Sequence, residues 1–387
     1  MRCFDVVVIG AGIVGLTAAL GLTKRNLHVA LIEKHSLEID SVKLDDRIYA
    51  INQTSKELFE NLGVWKKIPV NRLAAYQHMH IWDDASPGII DFDSRMIATD
   101  NLGFIIEESI LRAALLNQLR LQPKVKLFAY HSVIDIANVS DIVQITTEKC
   151  KLTAHFMIIS DGANSHCRQL LQIPLTTWSY HQQALVATVT TEYNHQQTAY
   201  QVFNATGSLA FLPRAQATEC SIVWSTNYAH MQQLMSLSEQ DFSQYLTEVF
   251  AHKLGKIQIT SQRHQFPLMM RLARRLVGES LVLAGDAAHT VHPLAGLGLN
   301  LGLADLIDLF ECFSSSEDKF PNKQNLMAYQ RRRHYIIWKN ILFLEGIKAM
   351  FINPLLPMRA LRGLGMRMCN QTPLLKRLFI RRATNLS

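Results

Sequence analysis

The chain has 387 residues, of which 48% are hydrophobic and 18% charged, so it can bury a sizeable core and a disordered chain is excluded. The formal net charge is +7, but twelve Lys or Arg and one acidic residue give +11 to the segment 331–387, which leaves −4 for residues 1–330. Because the positive charge lies at one end and the rest of the chain is mildly acidic, the sequence predicts a local partner for that end and no nucleic acid.

The amino terminus and the cysteines indicate an intracellular protein. Six cysteines are scattered without a C-x-x-C pair, as is typical of reduced thiols. The first residues run directly into a predicted strand, so we expect no signal peptide. No uncharged apolar run reaches the ~18–20 residues that a membrane-spanning helix requires. We therefore expect a cytoplasmic location.

The first 33 residues predict a dinucleotide-binding βαβ unit. Phe4–Ile9 is an apolar, largely β-branched run, typical of a strand that is buried on both faces. The glycine motif Gly10–Gly15 follows at once. A helix from Leu16 to Lys24 and a second strand from His28 to Glu33 complete the predicted unit.

Each residue of this motif has a physical role. Gly10 permits a tight turn, Gly12 lets the backbone approach a pyrophosphate, and Gly15 allows the helix to pack closely on the strand. The helix N-terminus offers free N–H groups and a positive dipole to phosphates. Glu33 can accept hydrogen bonds from ribose hydroxyls, and its charge disfavours the 2′-phosphate of NADP at this site. GxGxxG alone could be a turn that binds nothing; the order of the surrounding elements favours a dinucleotide.

Two later segments each predict a strand that runs into a turn. The first, Met157–Ser165, contains Asp161 and Gly162 and is followed by Arg168. The second, Leu281–His289, contains Gly285 and Asp286. The glycine-rich segment His292–Gly302 comes next and opens a predicted helix.

Together these motifs resemble the class A flavoprotein monooxygenases of the para-hydroxybenzoate hydroxylase type. Within that class the chain is most similar to the ubiquinone-biosynthesis hydroxylases, over nearly its whole length and in the same order. Two positions depart from the family pattern: Leu297 stands where many members have Gln, and Glu107-Glu108-Ser109 stands where many have Asn or Arg, which leaves a flavin contact there open. The matching segments are Asp46–Ile51, Leu62–Trp65, Asp161–Ser165, Phe211–Pro213, Ser221–Trp224, Phe266–Leu268, Gly285–Gly302 and Arg331–Arg333.

The resemblance implies FAD as the cofactor and NAD(P)H as co-substrate. Asp286 would accept hydrogen bonds from the ribityl hydroxyls, and Asp161 with Gly162 would contact FAD and the transient NAD(P)H. Pro293 would lie beside the reacting edge of the flavin. Arg47 would contact FAD or the mobile ring, since a guanidinium suits phosphate.

The resemblance further implies that the helix beginning near Leu299 and Asn300 directs its N-terminal amides at the pyrimidine edge of the flavin, where they would stabilise negative charge on the reduced ring. The predicted cofactor-binding residues are Gly10, Gly12, Gly15, Glu33, Arg47, Asp161, Gly162, Gly285, Asp286, Gly298, Leu299 and Asn300.

The implied fold is α/β, with a Rossmann-like FAD-binding domain interleaved with a mostly antiparallel substrate sheet and followed by C-terminal helices. We assign residues 1–75, 100–178 and 278–330 to the FAD-binding domain, 76–99 and 179–277 to the substrate domain, and 331–387 to a basic C-terminal helical region. Strands are predicted at Ala184–Val189, Ala199–Phe203, Leu209–Leu212 and Cys220–Ser225, with His78–Trp82 as a further candidate.

The implied reaction is hydroxylation of the aromatic ring of a polyprenylated phenol or quinol in ubiquinone biosynthesis. NAD(P)H would reduce the flavin, O2 would form a C4a-hydroperoxide on it, and the electron-rich ring would attack the distal oxygen. No side chain is assigned as an acid or base. Alternatives are an isoprenoid reductase or a halogenase of the same fold, although a Trp-x-Trp-x-Ile halogenase signature is not evident. A non-catalytic FAD-fold subunit of a biosynthetic assembly is a third, which the intact motifs disfavour.

Two sets of residues also have simpler interpretations. His289 and His292 lie close together in sequence, but further ligands at zinc spacing are not evident, so no metal site is predicted. Phe211 and Trp224 are candidates for substrate contact, although aromatic strand residues more often pack in a wall or core.

The basic C-terminal region predicts a surface for a membrane or a protein partner. Apolar residues recur at helical spacing at Leu361, Leu364 and Met368. Three arginines, Arg359, Arg362 and Arg367, are expected on the other side of the helix. Such a helix suits the inner face of an anionic membrane, where an insoluble polyprenylated substrate resides, or an acidic partner in ubiquinone biosynthesis. A merely solvated basic face is the alternative.

Overall fold

The computed structural model describes residues 2–40, 44–139, 142–314, 319–353 and 355–384. Its strands are β1 (Arg2–Ile9), β2 (Val29–Glu33), β3 (Ile48–Ile51), β4 (Leu73–Tyr76), β5 (His78–Asp83), β6 (Ile89–Asp93), β7 (Gly103–Glu107), β8 (Val125–Ala129), β9 (Val133–Val139), β10 (Ile142–Thr147), β11 (Lys151–Ile159), β12 (Leu175–Thr191), β13 (Thr198–Asn204), β14 (Gly207–Pro213), β15 (Glu219–Asn227), β16 (Ile257–Ile259), β17 (His264–Ala273), β18 (Leu281–Leu283) and β19 (His289–Thr290). Its helices are α1 (Ile13–Thr23), α2 (Gln53–Asn61), α3 (Glu108–Arg120), α4 (His166–Leu170), α5 (Tyr228–Ser236), α6 (Glu239–Val249), α7 (Leu297–Ser314), α8 (Lys323–Ile352), α9 (Leu356–Gln371) and α10 (Pro373–Thr384).

The first sheet carries the amino-terminal glycine motif and has the strand order β8-β2-β1-β11-β10-β9. β1 is parallel to both of its neighbours, and β18 pairs in parallel with the carboxyl half of β11. In β1, Val6 and Val8 enter one hydrophobic core, whereas Val7 and Ile9 enter the other. Burial on both faces explains why the second half of the strand, Val6–Ile9, is a continuous apolar run. The predicted strand–helix–strand unit is confirmed, with α1 beginning at Ile13, before the predicted start.

α1 is surrounded by other elements and contacts α3 and α7. Nearly every residue of α1 is buried, which is why it is apolar all round and not amphipathic. Gly21 faces Phe310 of α7 so closely that a Cβ there would overlap the ring. These helices cover one face of the first sheet and fix the position of α7, whose N-terminus reaches the glycine motif's edge of the sheet.

The second sheet has the order β19-β17-β12-β15-β14-β13-β5-β6, with β16 beside β12. The predicted strands in this region are confirmed, and so is the mostly antiparallel sheet; β5 joins it in parallel with β13. α5 and α6 cover one face through an apolar core. In β12 the pairing with β17 shifts between Ser179 and Gln183, where His181 has a φ of +53°. This bulge redirects the side chains that follow. A third, smaller sheet has the order β3-β7-β4.

The C-terminal region is part of the core as well as of the surface. α8 begins at Lys323, before the predicted boundary at residue 331, and places Ile337, Ile341 and Leu344 in the core beside the first sheet. Further along, Phe351 stacks on Phe203 of β13 with ring centroids 3.8 Å apart. The C-terminal region is therefore packed into the folded protein and is not only an appended tail for binding a membrane or a partner. No helix within the described ranges is long and apolar enough to cross a membrane.

α9 confirms one part of the predicted amphipathic pattern and corrects another. Leu361, Leu364 and Met368 are each more than half exposed on its outer face. Arg362, however, is not a surface cation, because it is 3% exposed and pairs with the equally buried Asp83 of β5 at 2.7 and 2.9 Å. It also donates to the Phe351 carbonyl oxygen at 2.7 Å. Arg362 thus attaches α9 to the edge of the second sheet.

We predict that Arg362→Met lowers the free energy of unfolding by about 3–5 kcal/mol, because it leaves Asp83 buried without a counter-charge. Chemical denaturation would measure the loss. Arg377→Met, at an exposed position of α10, is the matched control and should change the free energy by less than about 0.5 kcal/mol. Adding Asp83→Leu to Arg362→Met should recover most of the loss; equal effects of Arg362→Met and the control would contradict this prediction.

Candidate active site

The turn after β1 has the geometry of a pyrophosphate-binding loop. Gly10 has a φ of +98°, and a Cβ there would lie 2.5 Å from the carbonyl oxygen of Ser160. A Cβ on Gly15 would overlap the carbonyl oxygen of Gly10, whereas Gly12 faces open space with nothing within 4 Å. Gly12 is also the N-cap of α1 and supplies no capping side chain, so the helix amides stay available to an anion.

Glu33 at the end of β2 braces this loop. Its Oε2 accepts a hydrogen bond from the backbone amide of Ala11 at 2.7 Å, and its Oε1 accepts one from the amide of His35 at 3.0 Å. Each carboxylate oxygen has a further lone pair, and the residue is only partly buried. The side chain can therefore hold the loop and still accept a hydrogen bond from a ribose hydroxyl.

The Asp161–Gly162 turn lies beside the loop because β11 is the neighbour of β1. Gly162 has a φ of +88° and faces open space. Asp161 Oδ2 accepts from the amide of Cys167 at 3.1 Å, but its buried Oδ1 has no hydrogen-bond partner among the described residues. An unsatisfied buried acceptor is costly, so this atom fits a donor from a bound ligand.

The Gly285–Asp286 turn completes the edge. β18 runs parallel to β11, and Gly285, with a φ of +61°, comes two residues after the end of β18 at Leu283. Carboxyl ends of parallel strands meet at one edge of a sheet, where α/β proteins bind their ligands. The structure thus brings together Gly10, Asp161 and Gly285, which are far apart in the sequence.

The Asp286 carboxylate is exposed to solvent yet surrounded by protein. The surrounding protein raises its pKa above the ordinary value, and the charges of His289 and Arg47 oppose that rise. The carboxylate is thus accessible to a ligand although protein surrounds it. The Arg47 side chain is 63% exposed and lies close enough for its charge to act on Asp286.

The acidic departure from the family pattern is accommodated by arginines. Glu108 Oε2 lies 2.8 Å from Arg47 Nε. Glu107 is 5% exposed and receives two hydrogen bonds from Arg72, at 2.8 and 2.6 Å, while Arg214 lies 3.3 Å away. These contacts hold the pKa of Glu107 below its usual value, although burial alone would raise it.

The N-terminal turn of α7 carries the candidates Gly298, Leu299 and Asn300. Gly298 faces open space. The Asn300 side chain is fully engaged: its Oδ1 accepts from the Asn52 amide and the Ser55 hydroxyl, and its Nδ2 donates to the carbonyl oxygens of Ala50 and Gly296. The side chain of Asn300 therefore has no group left for a cofactor. The amides of this turn that lack an intrahelical partner are those of Leu297, Gly298 and Leu299, because α7 begins at Leu297.

Pro293 opens the short 3-10 turn Pro293–Ala295 that leads into α7. The preceding His292 is 2% exposed, its Nε2 lies 3.1 Å from Gln182 Oε1, and its ring packs edge-on against Tyr180 at 4.8 Å. Burial, and then the charge of Lys348, lower the pKa of His292 to about 4, so the imidazole is neutral at neutral pH. Sequence reasoning missed Tyr180, Gln182 and Lys348. Tyr180 and Gln182 lie in the bulge of β12, and no sequence motif indicates that bulge.

The two aromatic substrate candidates lie on the wrong face of the second sheet. Phe211 and Trp224 are 0% exposed. Phe211 stacks on Phe250 with centroids 3.8 Å apart, and Trp224 packs against Phe242 and Tyr245. Both belong to the core beneath α5 and α6, so their prediction as substrate contacts is corrected. Neither has surface to offer a ligand.

The opposite face of this sheet is partly open. Val186, Val223 and Ala210 form a row across β12, β15 and β14, because Val186 pairs with Val223 and Val223 with Ala210. Each is half-buried, in contrast to the fully buried row of Leu185, Trp224 and Leu209. Because side chains alternate along a strand, the residues next to Phe211 and Trp224 in sequence line this open face.

Comparison with known proteins agrees with this geometry. Residues 3–343 match the family model described as FAD binding domain. The 3-demethoxyubiquinol 3-hydroxylase of Escherichia coli (strain K12) is 31% identical over 99% of this chain and 98% of its own length. The ubiquinone biosynthesis monooxygenase COQ6, mitochondrial, of Homo sapiens is 28% identical over 96% of this chain and 91% of its own. The chain belongs to the FAD binding domain family.

Its cofactor is FAD, and it is an FAD-dependent hydroxylase, as the sequence motifs predicted. The crystal structure of p-nitrophenol 4-monooxygenase PnpA from Pseudomonas putida DLL-E4 has a TM-score of 0.80 to this chain, with 99% of both chains covered and 18% identity. That likeness shows the shared fold. FAD fits the residues present, since the space beside Gly12 would admit a pyrophosphate and Asp161 Oδ1 has no donor in the part of the chain that the structure describes.

We predict that Gly12→Val abolishes FAD binding and leaves the apoprotein folded. Gly12 has a φ of −71°, which valine can adopt, and the new side chain would fill the open space of the loop. FAD fluorescence titration of the apoprotein, with circular dichroism for folding, would measure both effects. Gly365→Val, also in open space but on the exposed side of α9, should bind FAD normally. Normal FAD affinity of Gly12→Val would show that the pyrophosphate lies elsewhere.

Proposed function

We propose that this protein hydroxylates the aromatic ring of a polyprenylated phenol or quinol intermediate of ubiquinone biosynthesis, with NAD(P)H and O2 as co-substrates. The observation that carries the proposal is the 31% identity, over almost the entire chain, to a hydroxylase whose name specifies a demethoxyubiquinol. Full-length relatives named as hydroxylases or monooxygenases favour this reaction over reduction or halogenation on the same fold.

FAD, when bound, accepts hydride from NAD(P)H and activates O2; the chain's own residues hold and orient it. We assign the pyrophosphate to the Gly12 loop, the ribose to Glu33, and the ribityl chain to Asp286. Asp161 and Arg47 face the same edge, and the amides at the start of α7, near Leu299, would face the pyrimidine edge of the ring. Pro293 would then border the reacting edge of the flavin.

We also propose a division of the chain into two domains and a C-terminal region. The FAD-binding domain comprises residues 1–75, 100–178 and 278–330, the substrate domain 76–99 and 179–277, and the C-terminal region 331–387.

The substrate ring would lie on the open face of the second sheet. A flat, apolar wall lies there, formed by Val186, Val223 and Ala210. Such a wall suits an aromatic ring better than a charged group. Leu294, next to Pro293, packs against the apolar cluster that contains Phe203 of β13 and Phe351 of α8. The wall and the flavin-edge turn therefore share one apolar boundary, which would help to exclude water from the reaction.

A strain that lacks this protein should accumulate a polyprenylated aromatic intermediate short of one ring hydroxyl, as measured by lipid mass spectrometry. The wild-type gene should remove that intermediate. A gene with Ala210→Trp should fail to remove the intermediate, because an indole would fill the space above the wall. The purified variant should still keep its FAD. Ala205→Trp, at an exposed position of the adjoining β13–β14 turn, should behave as wild type. An unchanged lipid profile in the deletion strain would reject the proposed substrate class.

We also propose that α9 and α10 bind peripherally to the inner face of an anionic membrane, where the substrate resides. Their exposed side is apolar, with exposed Leu361, Leu364 and Met368 on α9 and Leu374 and Leu378 on α10. An exposed apolar patch of this kind is unusual on a monomeric protein. Arg367 and Arg377 are exposed nearby and would face lipid phosphates, each contributing about 1 kcal/mol near such a surface.

In vesicle co-sedimentation, the protein should bind anionic vesicles at low salt and be released as salt rises, because exposed charges are screened. Leu364→Ser with Leu378→Ser should reduce binding, and so should Arg367→Gln with Arg377→Gln. Leu121→Ser, a similarly exposed leucine after α3, is the control. Binding that follows neither pair of substitutions, or no binding at low salt, would mean that this face serves a protein partner or only solvent.

A further inference from the structure

Two buried charged residues connect α7 and α8 to the turn that carries Asp286. Asp305 on α7 and Arg333 on α8 are each 1% exposed. Asp305 Oδ2 accepts a hydrogen bond from the backbone amide of Gly285 at 3.0 Å and one from His289 Nε2 at 2.7 Å. Its other oxygen, Oδ1, accepts from Arg333 Nε at 2.7 Å. One carboxylate therefore holds both ends of the turn from Gly285 to His289.

Arg333 holds that carboxylate in place. Its Nη2 donates to the carbonyl oxygen of Leu301 at 2.9 Å, and its Nη1 lies 3.3 Å from Asp308 Oδ2. Burial alone would raise the pKa of Asp305, but the charges of His289 and Arg333 outweigh it and hold the pKa below its usual value. The ionised form of Asp305 thus depends on these neighbours.

The turn has little freedom to move independently of this network. A Cβ on Gly302 of α7 would lie 2.9 Å from the Gly285 Cα, and one on Gly285 would lie 3.0 Å from Val14 of α1. Without Arg333, Asp305 would be a buried carboxylate with one counter-charge fewer, and such a group takes up a proton or rearranges. Either response disturbs the acceptor of the Gly285 amide, and Asp286 follows Gly285 directly in the chain.

We propose that Arg333 is a positioning residue for FAD: through Asp305 it fixes the Gly285 turn and so the Asp286 carboxylate that receives the cofactor. The inference rests on the proposed placement of the ribityl chain at Asp286. It also gives α8, the first helix of the basic C-terminal region, a role in the cofactor site itself. Arg333 touches no cofactor atom in this arrangement and acts only through its neighbours.

The neighbouring Arg332 provides a matched control. It is on the same helix, but its side chain is 46% exposed and pairs with Asp308 and Glu311 at 2.9 and 2.8 Å. Arg333→Met and Arg332→Met remove the same charge one residue apart. Arg333→Lys keeps the charge near Asp305 but loses the planar fork that reaches Leu301 and Asp308.

The experiment measures the dissociation constant of FAD from each folded apoprotein, together with the visible spectrum of the bound flavin. We expect Arg333→Met to raise the dissociation constant roughly tenfold or more, Arg333→Lys by at least about threefold, and Arg332→Met by less than about twofold. The flavin spectrum should shift in both Arg333 variants and not in the control. A purely structural role would lower the melting temperature without moving the dissociation constant or the spectrum of the folded fraction.

Asp286→Ala separates the failure of this inference from failure of the underlying placement. If Asp286→Ala weakens FAD and folded Arg333→Met binds it as wild type does, Arg333 has no positioning role. If neither change affects FAD, the placement at Asp286 is wrong, and the inference is overturned with it. If Arg333→Met does not fold, Arg333→Lys decides: wild-type affinity in that variant rejects the proposal, and weaker binding supports it.

Discussion

The parallel pairing of β1, β11 and β18 is the constraint on which the rest of the structure depends. Three short sequences, separated by more than a hundred residues each, become one site only because these strands are adjacent and run in the same direction. The strands are buried on both faces, so a shift in register would exchange the side chains between the two cores and displace the turns that follow the strands. Helix packing on one face and the second sheet with α8 on the other therefore preserve the alignment of the glycine turns.

The charges in the protein divide into those that hold the frame and those that remain for ligands. Asp305 with Arg333, Glu107 with Arg72, and Asp83 with Arg362 are nearly or fully buried pairs, and each joins elements that are distant in sequence. Asp286 and Arg47 differ, since both are exposed at one concave edge. A buried pair is weak evidence for stability in itself, but removing one partner is costly. Few charged residues therefore remain accessible to a ligand at this edge. The buried ion pairs hold together the elements that carry them.

Much of the frame could be predicted from the sequence, because glycine spacing and strand periodicity are local signals. The roles of Gly10, Gly12 and Gly15 follow from the need for a tight turn, a close approach of the backbone to a ligand and close packing of the helix, and the structure gives each one the expected surroundings. Phe211 and Trp224 could not be placed correctly, since the face toward which a strand residue points depends on a register that only the folded sheet defines. Arg362 was misplaced for a related reason: its partner, Asp83, is 279 residues away.

Asn300 illustrates a different limit. Its motif predicted a residue of the cofactor site, and it does lie in the first turn of α7, but all four hydrogen-bonding capacities of its side chain serve β3, α2 and its own turn. The side-chain amide of Asn300 therefore fixes the orientation of the helix N-terminus and has no group left for a ligand. The same relation holds on a larger scale for the C-terminal region. α8 reaches the Gly285 turn through Arg333 and Asp305, and its Lys348 lies over Tyr180, which packs against His292. α9 packs on the edge of the second sheet and exposes leucines outward. The membrane contact proposed for that outer face would therefore be connected to the candidate site by packed helices and buried ion pairs.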